Sequence, residues 1–361
     1  MVILLLAIIL ILGSIGAIGE NLTIEKENSC KCNNNTLENT DKFDNNKKQQ
    51  YALGLILEYD EQGYLIPNPQ ILAGNPPSAW DWRNAEYKGI TGDWTTSIKD
   101  QAHCGSCWAF GVIASLESVY NIQEGDPDAD VDLSEQLLVS CGMTYDPRHM
   151  IGCCGGSLYH AIKLLRWHGT VPETCFPYLA VDANGRDYGD CNPGDNPSHN
   201  PVRCSDMCEE WKDLTIKPGH YSSLMDQQSI KNAIYNYGPI VAAFSVYDDF
   251  YSYTGGIYEQ NSNIYSGGHV IAIVGYDDDQ QCWICKNSWG EDWGEPNPYD
   301  TNSNGGWFRI KYGECSIDSP GNSAYINGYT KTRNYQNIIS FRLLQNPVIV
   351  QILKMMFYKT L

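Results

Sequence analysis

Residues 101–110, reading QAHCGSCWAF, set a cysteine at the point where an apolar, helix-compatible run begins. Beyond it Ala109, Val112, Ile113, Leu116 and Val119 keep a helical period, so a buried central helix is expected between Trp108 and Tyr120. A thiol at the start of such a helix meets the positive end of the macrodipole and the unpaired amide hydrogens of the first turn, both of which favour thiolate. Thiolate is the form that attacks carbonyl carbon, which makes Cys107 a candidate nucleophile.

The texture of the chain changes along its length. LSEQLL at 133–138 reads as another helix start and residues 157–167 as a third helix. From Pro239 onward β-branched and aromatic runs take over, IVAAFSVY, GGIYEQ, HVIAIVGYD, CWICKNSW and GGWFRIKYG, punctuated by Gly and Asp. Helices followed by strands, without alternation, predict an α+β fold with two lobes rather than a doubly wound sheet. At 361 residues, 42% of them hydrophobic, the chain has material for one large domain or two average ones.

Both ends differ from this body. Residues 1–19 carry an uncharged apolar run closing on Ala17-Ile18-Gly19, which reads as a secretory signal, with an uncleaved anchor as the alternative. Residues 21–50 are rich in Asn, Lys, Glu and Thr and too polar to bury a core; Asn21-Leu22-Thr23 and Asn34-Asn35-Thr36 fit the glycosylation pattern. LGLILEYDEQGYLIP, which follows, suggests two short strands about a turn. The net charge of −19 argues against nucleic acid as a partner, because phosphate binding needs concentrated Lys and Arg. Residues 326–361 are the exception, with Lys331, Arg333, Arg342, Lys354 and Lys359 and no acid. A basic, apolar helix after Asn346-Pro347 could rest peripherally on a membrane or cell surface, dock on the body, or be removed in maturation.

Fourteen cysteines in an exported chain point to disulfides. Setting aside Cys30, Cys32 and the nucleophile leaves an odd number, so at least one further thiol stays free. Cys282 and Cys285 have CxxC spacing, yet strand alternation sends positions three apart to opposite faces, against zinc or redox use.

A nucleophilic cysteine needs a base, and the base needs an orienting acceptor. CGSCW resembles the active-site signature of papain-like cysteine peptidases, as do GGHVIAIVGYD around His269 and KNSWG around Asn287, in the family's order Cys, His, Asn. The 162- and 180-residue separations exceed the ~130–150 of papain and cathepsins, which implies an insertion between Cys175 and Lys217. The resemblance implies a helical lobe and a β-barrel-like lobe meeting at a cleft, no cofactor and no metal, and a monomer acting on protein or peptide substrates. It assigns Cys107 as nucleophile, His269 as base, Asn287 as orienter, Gln101 as oxyanion donor and Trp289 as the aromatic shielding the His–Asn bond. Gly155-Gly156 becomes the edge to which extended substrate adds, and Leu158, Ala243, Gly268 and Pro320 an apolar P2 pocket.

Cys104 and Cys153 resemble the family's bridge beneath the active-site helix, and Cys141 a half-cystine paired with Cys175 or Cys191. Cys154 departs from the family pattern; if free, its thiol borders the cleft. The insertion with Cys191, Cys204 and Cys208, and GPIVAAFSVYDDFYSYTGGIY, are similar to cathepsin B-like members. Those members clamp a substrate carboxylate with two adjacent His residues, whereas only His199 lies in this insertion, so an endopeptidase is expected over an exopeptidase. A secreted or wall-associated binding protein and an acyl transferase are the other readings; intact Gln101, Cys107, His269 and Asn287 argue against the first, and the hydrolase form of the motif against the second. The organisation expected is a signal at 1–19, a linker and short prosegment at 20–76, a catalytic domain at 77–325 and the basic tail at 326–361. Such a protein works outside the cell, at its surface or in a lysosome-like compartment. The prosegment lacks the long charged helix of many relatives, which leaves inhibition by this segment an open question.

Overall fold

The apolar period after the CGSCW motif forms α1 (Cys107–Glu124), buried on nearly every side, with Trp108, Val112, Ile113 and Leu116 fully enclosed. A helix wrapped by protein needs no polar stripe. It ends where Gly125 turns left-handed at φ 72° and donates its N–H to the Asn121 carbonyl. This computed structural model describes residues 51–56, 74–129, 131–192 and 194–332. The leader, the glycosylation patterns, the turn expected around Asp60 and the tail helix lie outside the described residues.

Around α1 the helical lobe continues with the π-helical turn Leu137–Cys141, which begins at the last two residues of LSEQLL, and with α2 (Leu158–Trp167), which buries Leu158, Ala161, Ile162, Leu164 and Leu165. A third helix, α3 (Gln227–Tyr237), starts where the Asp226 carboxylate accepts from Ser229 N at 2.7 Å. The strands are β1 (Ala79–Asp81), a hairpin of β2 (Ala85–Tyr87) and β3 (Ile90–Gly92), then β4 (Ile216–Leu224), β5 (Ile240–Tyr247), β6 (Ile257–Tyr258), β7 (Tyr265–Asp277), β8 (Cys282–Lys286), β9 (Trp307–Lys311) and β10 (Ser323–Lys331). The main sheet runs β4-β10-β5-β7-β8-β9-β6, with β1 also on β7. Only the β6–β9 pair in it is parallel among the described strands. The α+β class with a helical and a strand lobe is thus the architecture observed.

One apolar cluster surrounds α1 and α2 and takes in Val241, Ala243 and Val270 from the strands; another fills the strand lobe around Phe244, Phe250, Trp283, Trp289 and Phe308. The lobes meet closely at Gly111 of α1. A Cβ there would stand 2.7 Å from Val270 Cγ1 and 3.1 Å from the Ile271 carbonyl oxygen, so only glycine lets α1 seat on β7. Beside that seat Glu117 is fully buried: Oε1 accepts from Lys99 Nζ at 2.7 Å and Leu133 N at 2.8 Å, and Oε2 from Thr96 Oγ1 at 2.6 Å. Removing one member of a buried charged network leaves its partners unpaired, so Glu117→Ala is expected to cost about 3–5 kcal/mol of stability. Denaturant unfolding checks this; a loss below about 1 kcal/mol would mean the network is structurally idle.

The disulfides correct part of the expected pairing. Cys104–Cys153 forms as expected, but Cys141 pairs with Cys204, Cys175 with Cys208, and Cys154 with Cys191. The insertion folds back on itself, Val202 N reaching the Asp182 carbonyl and His199 N that of Gly185, each at 3.0 Å, and chain proximity gave no hint of this return. Cys154 is therefore bridged, not free. Cys107, Cys282, Cys285 and Cys315 remain as buried thiols. The loop at 295–304 is pinned to the body by Glu295 to Arg309 at 2.9 Å and Asn297 Nδ2 to Asp93 Oδ2 at 3.0 Å.

Candidate active site

Cys107 is the first residue of α1. Ser106, which precedes it, turns its hydroxyl to Tyr178 Oη at 2.6 Å instead of capping the first turn, and the N–H groups of Trp108 and Cys107 face the thiol. The loop before it is fixed to the helical lobe by Cys104–Cys153 and by Gly105 N to the Cys153 carbonyl at 2.8 Å. Gln101 N to the Ser288 carbonyl, at 2.9 Å, fixes it to the strand lobe.

His269 lies on β7 and Asn287 follows β8. These antiparallel neighbours pair Ala272 with Lys286, and so fold residues 18 apart in sequence onto one another. His269 Nε2 meets Asn287 Oδ1 at 2.8 Å in a buried contact, and Asn287 Oδ1 also accepts from Ser288 N at 2.9 Å. The Trp289 ring, 2% exposed, lies 4.8 Å from the imidazole and screens this bond. The other ring nitrogen, Nδ1, has no hydrogen-bond partner among the described residues. The N–H of Val270, the next residue, faces the Cys107 thiol, so the strand that carries His269 runs past the nucleophile.

Gln101 completes the group. Its Nε2 donates to the Cys104 carbonyl at 2.8 Å, and its Oε1 accepts from Ser288 Oγ at 2.7 Å. Ser288 thus orients the amide, a role that nothing in KNSWG announces, because the hydroxyl acts on a residue 187 positions away.

The cleft is filled by residues 51–56. Gly156 N donates to the Gly54 carbonyl at 2.8 Å, Ile56 N to the Gly156 carbonyl at 2.9 Å and Leu55 N to the Gly268 carbonyl at 3.2 Å, in a parallel pairing of Leu55 with Gly156. Tyr51 stacks on Trp289 at 4.6 Å, and the Ala52 carbonyl accepts from Gln101 Nε2 at 2.9 Å. Leu55 touches Gly268 and packs on the cluster holding Leu158 and Ala243, while Pro320 is exposed and outside it. The segment engages the cleft without a long helix: Gly54, Leu55 and Ile56 pair through backbone, Ala52 through the Gln101 amide and Tyr51 through the Trp289 ring.

Filling the cleft suppresses the charges. Burial pushes the Cys107 thiol up to about 11 against the pull of the Val270, Gly54 and Trp108 N–H groups, and burial holds His269 down to about 4 despite the Asn287 bond. Both groups are neutral near pH 7 in this form. A histidine whose folded pKa lies below the 6.5 of the free side chain contributes stability that is full above pH 6.5 and lost as pH falls through 4. The unprocessed chain is therefore expected to lose roughly 3 kcal/mol across that window. His269→Gln should flatten the Tm profile there; equal acid sensitivity in both proteins would contradict the assignment.

Known proteins resemble this chain in the same region. The profile of the family described as papain family cysteine protease matches residues 76–325. A gut-specific cysteine proteinase of Caenorhabditis elegans is 32% identical over 265 residues, 69% of this chain and 74% of that protein. The cathepsin B-like CP3 of Giardia intestinalis is 33% identical over 261 residues, 70% and 76% of the two chains. Among solved structures, digestive procathepsin L2 proteinase from Tenebrio molitor larval midgut is 25% identical, with a TM-score of 0.54 over 77% of this chain and 78% of that one. ProCathepsin B S9 from Trypanosoma congolense shares the fold, with a TM-score of 0.55 at 22% identity over 78% and 87%. Since the matched stretch holds Cys107, His269 and Asn287 alike, the chain belongs to the papain family of cysteine proteases and is a cysteine-type peptidase.

Proposed function

We propose that the protein is a secreted endopeptidase, made as a latent precursor, that cleaves peptide bonds through Cys107, His269, Asn287 and Gln101. The observation that carries this is the Ala52 carbonyl on Gln101 Nε2 at 2.9 Å, beside the thiol. A peptide carbonyl is what the site holds, and a substrate carbonyl occupying the freed position would meet the same donor.

With the segment gone, water reaches the cleft and the proton passes from Cys107 to His269, giving a thiolate and an imidazolium. The sulfur adds to the scissile carbonyl carbon, and the oxyanion is stabilised by Gln101 Nε2 and the Cys107 N–H, a donor of this kind being worth about 3 kcal/mol. The C–N bond breaks as His269 gives its proton to the leaving amine, leaving a thioester. His269 then takes a proton from water, whose oxygen displaces the sulfur and releases the acid. Asn287 holds the ring throughout, and Trp289 keeps water from their bond.

Endopeptidase cleavage is supported by the loop at 182–202, where the lone His199 pairs with Asp187 at 3.2 Å. An apolar P2 residue is supported by Leu55, lodged between Gly268 and the Leu158–Ala243 cluster. Secretion or a lysosome-like location is supported by the apolar run at 1–19 and the disulfides, and peripheral membrane attachment by the basic tail.

Activated protein tests the reading with an internally quenched peptide, a C-terminally free peptide, and an epoxide-type thiol label. Internal cleavage, preference for Leu over Arg at P2, and labelling lost in Cys107→Ala are expected. Preferential dipeptide release would make it an exopeptidase, and absence of both label and cleavage would make it a binding protein.

A further inference from the structure

Away from the catalytic group, Asp146, His149 and His160 bring one carboxylate and two imidazoles together on the helical lobe. A turn supplies the first two: Asp146 closes the short helix Gly142–Tyr145, and its carbonyl accepts from His149 N at 3.1 Å and Met150 N at 3.0 Å. His160 comes from the first turn of α2. Backbone bonds hold the turn against that helix start, Ser157 N donating to the His149 carbonyl at 2.8 Å and Ile151 N to the Gly155 carbonyl at 2.9 Å. The main chain therefore places the three side chains side by side.

Each residue offers one donor atom, and the three atoms lie within 4.8 Å of one another. His149 Nδ1 stands 2.7 Å from Asp146 Oδ1, and His160 Nε2 stands 3.5 Å from Asp146 Oδ2. A tetrahedral Zn²⁺ about 2.0–2.1 Å from its ligands spaces the donors roughly 3.4 Å apart, so small rotations of these partly exposed side chains complete the set. The two rings stack at 3.9 Å. Burial holds His160 down to about 4, and the charge of His149 adds to this, so near pH 7 His160 presents a lone pair and is no cationic partner for Asp146. Its Nδ1 meets Ser157 Oγ at 3.0 Å. When Nδ1–H is given to that hydroxyl, the Nε2 lone pair faces the Asp146 carboxylate, an arrangement that a cation between them satisfies and that outer partners of ligating histidines commonly enforce.

We propose that Asp146, His149 and His160 form a binding site for a divalent transition ion of the Zn²⁺ class, with water completing its coordination. Imidazole and carboxylate together suit such an ion, whereas Mg²⁺ and Ca²⁺ take oxygen ligands. The ion lies behind the edge that holds the cleft-bound segment. Gly156 pairs with Leu55 on one side and with Met150, the neighbour of His149, on the other. Joining His149 to His160 ties this outer stretch to α2 and stiffens the edge. The site is independent of the peptidase reading, since none of its ligands takes part in the chemistry.

The test uses the full-length precursor carrying Cys107→Ala, which removes the catalytic thiol as a competing ligand. Titration with Zn²⁺, and with Co²⁺ as its spectroscopic stand-in, is expected to show an ion held by nitrogen and oxygen: visible Co²⁺ bands without thiolate charge-transfer absorption in the near ultraviolet. At about 100 times Kd, Zn²⁺ should raise Tm by about 5–10 °C, and Mg²⁺ should leave it unchanged. His149→Ala and His160→Gln should each weaken binding about 100-fold or more, with circular dichroism showing the variants folded. His199→Ala, in the separate cluster with Asp187 and Asp190, should bind as the parent does. A Kd weaker than about 1 mM, binding that both histidine variants retain, or a thiolate spectrum would each overturn the proposal.

Discussion

Cys107→Ala is expected to reduce kcat/KM of the activated protein by on the order of 10⁵-fold, and His269→Ala by a similar factor. The magnitude follows from the geometry. The sulfur stands at the start of α1 with the Val270 N–H facing it, and the imidazole of the residue before Val270 is held through Nε2 by Asn287 Oδ1 at 2.8 Å. Neither group functions without the other, so the double variant should lose little more than either single one. Asn287→Ala should be milder, because it frees the ring without removing it. Titration of the label against pH separates the roles: Cys107→Ala abolishes labelling, whereas His269→Ala shifts it toward the alkaline range of an ordinary thiol. Hydrolysis within tenfold of wild type in either single variant would dismiss the assignment.

Gly54→Val should have the second largest effect, in the opposite direction. A Cβ at Gly54 would lie 1.7 Å from the Gly105 carbonyl oxygen and 2.3 Å from its carbon, and both are backbone atoms that cannot swing aside. The segment must leave the cleft, giving up its bonds to Gly156, Gly268 and Gln101. At about 1 kcal/mol for each hydrogen bond, the uncut precursor should gain roughly 10²-fold or more in activity. Peptide hydrolysis, with electrophoresis to show the chain intact, measures this. An intact Gly54→Val chain as inactive as the wild type would remove the segment from any role in latency. The same release should let the thiol fall from about 11 and the imidazole rise from about 4, because burial is the first cause of both shifts.

Much of this was legible in the chain itself. The 3.6-residue period after Cys107 specified α1 because a helix buried on all sides needs only apolar residues and small ones such as Gly111 where it touches β7. His269 and Asn287 were readable because GGHVIAIVGYD and KNSWG resemble the family's motifs in the family's order. Ser288 behind Gln101 was not readable, since a serine in a turn carries no mark of the amide it serves.

The amino-acid sequence by itself determined the helical and strand lobes, because these depend on local period and residue type, and it carried the motifs around Cys107, His269 and Asn287 through which the family was legible. Only the tertiary structure decided which cysteines pair, that Cys154 is tied to Cys191 rather than left beside the cleft as a thiol, and that residues 51–56 lie across Cys107. Each of these is a contact between segments remote in sequence, fixed by how the insertion and the N-terminal segment pack against the finished lobes. Backbone groups make most of those contacts, and backbone groups are the same in every residue.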